Sequence, residues 1–131
     1  MAISRSLLRE KAMIILYQIE MNEESKLDYE VDDIINTNLE VDNEFVKNIV
    51  YGVITYKQSL DELANKHMVD WTIDRIDKTG AAILRMALYE LKYSDTPEVV
   101  VINEAIELAK KYSDDSVRKI INAVLDKVIK E

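Results

Sequence analysis

The sequence predicts an all-α fold built from long helices, and three observations support this. Gly occurs twice and Pro once in 131 residues, too few for the tight turns that connect many short strands. Apolar residues recur every three or four positions along most of the chain. Hydrophobic residues make up 48% and charged residues 32%, which favours one folded domain of ordinary size over a disordered segment.

The first predicted helix covers residues 4–21, with Ser4 as its N-cap. Arg5 and Arg9 are four residues apart and therefore share one face of this helix. That face is either a solvated surface or a short cationic ridge that grips phosphates, and the residues alone leave both interpretations open. The inward positions are Leu8, Ala12, Ile15, Leu16 and Ile19.

The acidic part of the chain contains the next two helices. Residues 22–30 are polar and predict a loop, and a second helix follows over about 31–39. A longer helical segment then opens just before Phe45. Ser59 or Asp61 is expected to restart this segment after a kink.

The segment Val69–Trp71 is predicted to join two halves of the protein. Trp71 is expected to anchor one half on the other, because aromatic rings bury large areas. Thr72 is a reasonable cap for the short helix that follows. Gly80 is either a turn or a point of close packing, and the next helix covers Ala81–Tyr93.

The stretch Pro97–Tyr112 is expected to organise the chain, since two neighbouring apolar rows give its helix a wide face that other helices must cover. The β-branched residues at its start prefer extended backbone, so the helix proper should begin near Val101. Asn103 and Glu104 are polar beside this face. We expect them to satisfy groups of a neighbouring segment, because buried polar groups are nearly always hydrogen-bonded.

The last predicted helix follows the caps and carboxylates of Ser113–Ser116. Its inward stripe runs from Val117 to Ile129. Arg118 and Lys119 lie in its first turns, outside that stripe.

Composition and motifs exclude most kinds of chemistry. The chain has no cysteine, and His67, its only histidine, has no neighbouring ligands, so neither a thiolate site nor a metal site is predicted. The two glycines, Gly52 and Gly80, are too far apart for a glycine-rich phosphate loop. No catalytic constellation is recognisable, so we predict a binding protein that is not an enzyme and needs no cofactor.

The negative charge is unevenly distributed. The formal net charge is −8, but residues 20–44 carry ten acidic side chains and one basic one, which leaves the remainder close to neutral. A basic patch elsewhere is therefore compatible with the acidic composition. The sequence shows no apolar run long enough to span a bilayer and no signal peptide, which predicts a cytoplasmic protein.

Five segments, in order along essentially the whole chain, resemble the NusB family of bacterial transcription antitermination factors. They are Arg9–Ala12 with Leu16–Gln18, Trp71–Ile76, Ile83–Leu91, Pro97 with Val101–Lys110, and Asn122–Asp126. The fourth segment is the most specific. The resemblance implies a single domain over 1–131, with about seven helices in two small packed bundles at roughly 1–70 and 71–131.

The resemblance also implies partners and a site. Proteins of this family pair with NusE, a small-subunit ribosomal protein with a second role in transcription. The pair binds the boxA element of nascent RNA and helps to load the antitermination complex on RNA polymerase. Carried over by position, RNA contact falls on Arg5, Arg9, Tyr17, Arg118 and Lys119. We expect the two chain-end helices to present one small positive ledge to this single-stranded RNA, which needs cations for phosphates and planar groups for bases.

The sequence departs from the family pattern at four places. Ser6 and Leu7 interrupt the family's run of arginines, and Ile120 replaces a common aromatic residue, so a thinner RNA surface is expected. Ala123 replaces a glycine, which suggests looser helix packing. Gly80 falls near a position that is often acidic on the NusE-facing surface.

Two alternatives to this assignment are kept. One is an interaction module of the same fold that binds protein with weak or no RNA binding, as a homodimer that hides its basic face. The other is the RNA-binding appendage of a ribosomal RNA methyltransferase. The second is less expected, because no nucleotide-binding domain follows in the sequence that ends at Glu131.

Overall fold

The structure is a computed structural model that describes residues 3–131, and within this range all regular structure is helical. Its elements are α1 (Arg5–Glu24), α2 (Val31–Asn38), α3 (Glu44–Lys66), a 3-10 helix (Ile73–Arg75), α4 (Lys78–Tyr93), α5 (Glu98–Tyr112) and α6 (Asp115–Ile129). These seven helical segments confirm the predicted all-α fold. None of the helices in the described range combines the length and apolar character needed to cross a bilayer.

Four of the α-helices begin at a side-chain cap. Ser4, Asn43, Asp77 and Asp114 each accept a hydrogen bond from the backbone N–H three residues further on, at 2.5–3.2 Å. Caps of this kind contribute about 1 kcal/mol each. The predicted cap Ser4 is confirmed. Thr72 makes no capping bond, because its hydroxyl donates to a carboxylate two residues on.

Helix α4 is the centre of the fold. Residues 80–88 are all buried, and α1, α3, α5 and α6 all contact this helix. A helix that is apolar on nearly all sides requires such complete cover. The stretch Pro97–Tyr112, which was expected to organise the chain, instead packs from one side and leaves Val99 and Val100 exposed. One hydrophobic core connects the six α-helices, and the division near residue 70 stays a prediction.

Gly80 is a point of close packing between α4 and α6. It lies in the first turn of α4, where an added Cβ would stand 2.5 Å from Cγ1 of Val117. Of the two interpretations of this glycine, close packing is therefore confirmed. Gly80 is also buried, so it offers no surface of its own to a partner.

Several helix limits differ from the predictions: α1 continues to Glu24 in place of residue 21, and α4 begins at Lys78 in place of Ala81. Larger differences concern α3 and α5. Helix α3 is continuous, so the expected restart at Ser59 or Asp61 is wrong; the weak helix preference of these residues costs too little to interrupt a helix packed along its length. Helix α5 begins at Glu98, ahead of the expected start near Val101. The carbonyl of Pro97 accepts the N–H of Val101 at 3.1 Å, which closes the first turn despite the β-branched side chains.

The junction between α3 and α4 also differs from expectation. Trp71 is 44% exposed, so the prediction that it anchors the two halves is wrong. Ile73 and Ile76 are buried there instead and fill the space between the helices. The backbone N–H of Ile73 donates to Oδ1 of Asn65 at 2.8 Å, which holds the junction against the last turns of α3.

Candidate nucleic-acid interface

Arg5 is an exposed cation at the start of α1. Its guanidinium lies 4.0 Å from the centre of the Phe45 ring, a cation–π contact that holds it beside the first turn of α3. The groove next to it has a volume of about 780 Å³ and includes Glu40, Asp42 and Glu44 in its lining. The exposed guanidinium of Arg5 can therefore pair with a phosphate, but the carboxylates of the groove beside it repel one.

Arg9 lies one helical turn further along and is only 4% exposed. Its Nε and Nη2 donate to the two carboxylate oxygens of Glu90 in α4 at 2.7 and 2.8 Å, and Glu104 of α5 lies 4.0 Å away. The hydrogen bond to Glu90 is the main cause that raises the pKa of Arg9. A buried cation must be paired, and this one is. The expected RNA contact at Arg9 is therefore corrected: the side chain joins α1 to α4.

Polar side chains tie α1 to α5 as well. Glu104 accepts a hydrogen bond from the hydroxyl of Ser6 at 2.6 Å, so the prediction that it satisfies a neighbouring segment is confirmed. Asn103, predicted to do the same, is exposed. Glu10 accepts a hydrogen bond from Lys111 at 2.8 Å, which is the main cause that lowers the pKa of Glu10. Lys111 is thereby engaged in a contact within the protein.

Tyr17 lies at the surface of α1. Its side chain is 36% exposed. The ring is therefore accessible to a planar group such as a base.

Arg118 and Lys119 lie in the first turns of α6, as predicted. Nε of Arg118 is 3.5 Å from Oδ1 of Asp115, one turn earlier, so its charge is partly balanced. Lys119 is exposed and makes no ion pair within the described part of the chain. It lines a groove together with Trp71. Lys119 is thus the more available of the two cations.

The structure does not bring these cations together on one ledge. Arg5 contacts Phe45 at the beginning of α3, whereas Lys119 shares a groove with His67 and Trp71, just beyond the end of α3. A helix of 23 residues is about 34 Å long. The expectation of a single ledge is therefore corrected to two separate cationic patches, because α3 spaces the ends of the chain apart.

Two exposed aromatic sites were missed in the sequence. The guanidinium of Arg75 lies 5.3 Å from the ring centre of Trp71. Tyr56 of α3 stacks on Tyr93 of α4 with ring centres 4.2 Å apart, and Tyr89 is 5.5 Å from Tyr93. The four-residue spacing of the last two tyrosines could have indicated their common face. No local signal distinguishes an exposed tryptophan from a buried one.

His67 belongs to an ion cluster, and residues 3–131 contain no group of three potential metal ligands. Nε2 of His67 lies 2.8 Å from Oε2 of Glu131, and Nζ of Lys66 lies 2.9 Å from Oε1 of the same carboxylate. Lys66 first, and then His67, lower the pKa of Glu131 to about 2. These contacts fasten the end of the described chain to the end of α3.

Comparisons with known proteins agree with this architecture. The sequence model of the NusB family matches residues 6–130. A transcription antitermination protein NusB from Macrococcus caseolyticus is 42% identical over 129 residues, which are 97% of each chain. The structure is similar to T. maritima NusB, with a TM-score of 0.86, 28% identity and coverage of 100% of this chain and 94% of that one. Its fold is also similar, with a TM-score of 0.80, 24% identity and 96% coverage of each chain, to that of antitermination factors NusB and NusE in complex with dsRNA.

Proposed function

This chain belongs to the NusB family, and we propose that it is a transcription antitermination factor that binds boxA-type single-stranded RNA of nascent ribosomal transcripts together with NusE. The observation that carries the proposal is the family match over residues 6–130, together with the 42% identity to a transcription antitermination protein. Such proteins are not enzymes, in agreement with the prediction for this chain.

The geometry supports RNA binding at two patches. The first consists of Arg5 and, about 18 Å further along α1, the exposed ring of Tyr17, and the second of Arg118 and Lys119 on α6. A single strand is flexible enough to follow both, since its bases stack on planar side chains and its phosphates pair with separated cations. Arg9 supports the first patch by holding α1 in place.

The protein partners in this proposal are NusE and, through it, the antitermination complex on RNA polymerase, which places the protein in the cytoplasm. Support comes from the similar fold of a NusB bound to NusE and RNA. The alternative is a NusB-like interaction module, as a homodimer, with weak or no RNA binding. The exposed stack of Tyr56 and Tyr93 favours some protein contact, because tyrosine is enriched at interfaces.

The test is a titration of labelled boxA RNA with and without NusE at several salt concentrations. Arg5→Ala and Lys119→Ala should each weaken binding and reduce the salt slope by about one unit. Lys26→Ala is the matched control, because Lys26 is an exposed cation within the acidic part of the chain, and it should leave the slope unchanged. Mass measurement in solution, with and without RNA, detects the homodimer.

The result decides between the two functions. Tight, salt-dependent binding that responds to both substitutions supports the antitermination factor. An obligate dimer whose mass does not respond to RNA, with no measurable RNA binding in the presence of NusE, supports the interaction module.

A further inference from the structure

The groove beside the start of α6 differs in charge from three other grooves of the described chain. It has a volume of about 210 Å³ and runs between α6 and the segment that follows α3. Its lining includes Trp71, Ile120, Lys119 and Lys127 and contains no carboxylate. Three other grooves of the described residues each include at least two carboxylates. In a chain with a net charge of −8, this groove suits an anionic ligand better than those three do.

Trp71 is held in this groove as an exposed aromatic surface. The residue before it, Asp70, has a φ of 63°, and the residues after it are fastened by the hydrogen bond from Ile73 to Asn65 at 2.8 Å. The guanidinium of Arg75 lies over the indole at 5.3 Å from the ring centre. With 44% of its surface exposed, the indole is positioned but not covered.

Two lysines provide cations beside the indole. Lys119 and Lys127 both line the groove and are exposed, and Nζ of Lys127 donates to the backbone carbonyl of His67 at 3.3 Å. The carboxylate of Glu131, which contacts His67 of this wall, is engaged by Lys66 and His67. The positive charge of the groove is therefore not neutralised from within.

We propose that Trp71 stacks on a base of single-stranded RNA and that Lys119 and Lys127 pair with the phosphates beside that base. The inference rests on the proposed function, because Lys119 belongs to both sites, and it extends the second RNA patch across the groove. Ile120, which replaces a common aromatic residue, lies in the same lining, so the indole supplies a planar surface next to it.

A base fits this groove better than an acidic peptide does. The groove is smaller than the roughly 300–1,000 Å³ of pockets that enclose a ligand, so it can support a flat group but cannot bury side chains. Stacking needs only one aromatic face and tolerates every base. The subsite therefore adds affinity without selecting a sequence.

Trp71 is the sole tryptophan, so its fluorescence reports on the groove directly. Titration of the intact protein with NusE and a boxA RNA oligomer should change the Trp71 emission over the same concentration range as binding measured from the labelled RNA. Heparin, a polyanion without bases, should bind the cations and leave the emission nearly unchanged. NusE without RNA should also leave it unchanged.

Variants test the contribution to affinity. Trp71→Ala should weaken RNA binding about 5- to 150-fold, the range for loss of one stacked base. Trp71→Phe keeps an aromatic ring at this position and controls for a loss of folding in Trp71→Ala. Its RNA affinity should lie between those of the wild type and Trp71→Ala. Lys127→Ala should reduce the salt slope by about one unit. The matched control is Tyr51→Ala, which removes an exposed aromatic ring outside the groove and should leave RNA affinity unchanged.

The outcomes separate this inference from the proposed function. If labelled RNA binds normally while the Trp71 emission stays constant and both tryptophan variants keep wild-type affinity, the subsite is wrong and the function stands. If the emission responds to NusE alone and not to RNA, the groove is a protein contact and the subsite is wrong. If labelled RNA does not bind at all with NusE present, the proposed function itself fails.

Discussion

Removal of Arg9 should destabilise the protein strongly. The side chains of Arg9 and Glu90 are 5% and 4% exposed and share two hydrogen bonds, so Arg9→Ala leaves the Glu90 carboxylate buried without its partner. Breaking a buried pair in this way costs about 3–5 kcal/mol. Domains have a total stability of only about 5–15 kcal/mol, so the variant should unfold at a much lower urea concentration.

Urea unfolding at pH 7, followed by the helical circular dichroism signal, measures this cost. Arg5→Ala is the matched control, because it removes the same type of side chain from an exposed position of the same helix, and it should cost less than about 1 kcal/mol. Replacing Arg9 and Glu90 together by Met and Leu should recover much of the lost stability, since an apolar pair of similar size fills the site without a buried charge.

The same variants separate packing from RNA contact. Where Arg9→Ala remains folded, its RNA salt slope should equal that of the wild type, whereas Arg5→Ala lowers the slope by about one unit. If Arg9→Ala were as stable as Arg5→Ala and lowered the salt slope equally, the buried pair would not exist in solution. Arg9 would then be assigned again to the RNA-binding surface.

Three further predictions concern the stability of the helices. Asn43→Ala should cost about 0.5–2 kcal/mol in urea unfolding, because it removes the cap of α3; an unchanged midpoint would show that the cap does not matter. Gly80→Ala should cost about 1–3 kcal/mol through overpacking against Val117, and a Val117→Ala background should reduce that cost. The ion pair with Lys66 should hold the NMR titration midpoint of Glu131 near 2, so this carboxylate stabilises the fold above about pH 4.5 and loses that effect as the pH falls toward 2. A midpoint at 4.5 would contradict the ion pair.

Local patterns allowed the helices to be predicted, but not all their limits. Apolar spacing and the cap Ser4 located α1, because both act within a few residues. The start of α5 was misplaced because the β-branched preference for extended backbone is weak and the packing of Val101 overrides it. The expected break in α3 failed for the same reason: one polar residue at the surface changes the helix free energy by too little.

Some functional residues were also placed correctly from local patterns, whereas others were not. Lys119 was assigned to the surface correctly, because it falls outside the apolar stripe of its own helix. Arg9 was assigned to the surface incorrectly. It lies four residues after Arg5, and this spacing is also what a cationic ridge on the surface would have. Trp71 was expected to be buried, and only the packing of the buried isoleucines after it left the indole outside.

The sequence by itself determined the helical architecture, the family and the types of side chain available for RNA. The tertiary structure alone decided which of those side chains are free. Glu90, the partner of Arg9, stands 81 residues further along the chain, and the length of α3 separates Arg5 from Lys119. Helical periodicity extends over a few turns, whereas the pairing and spacing of charges depend on how distant helices pack.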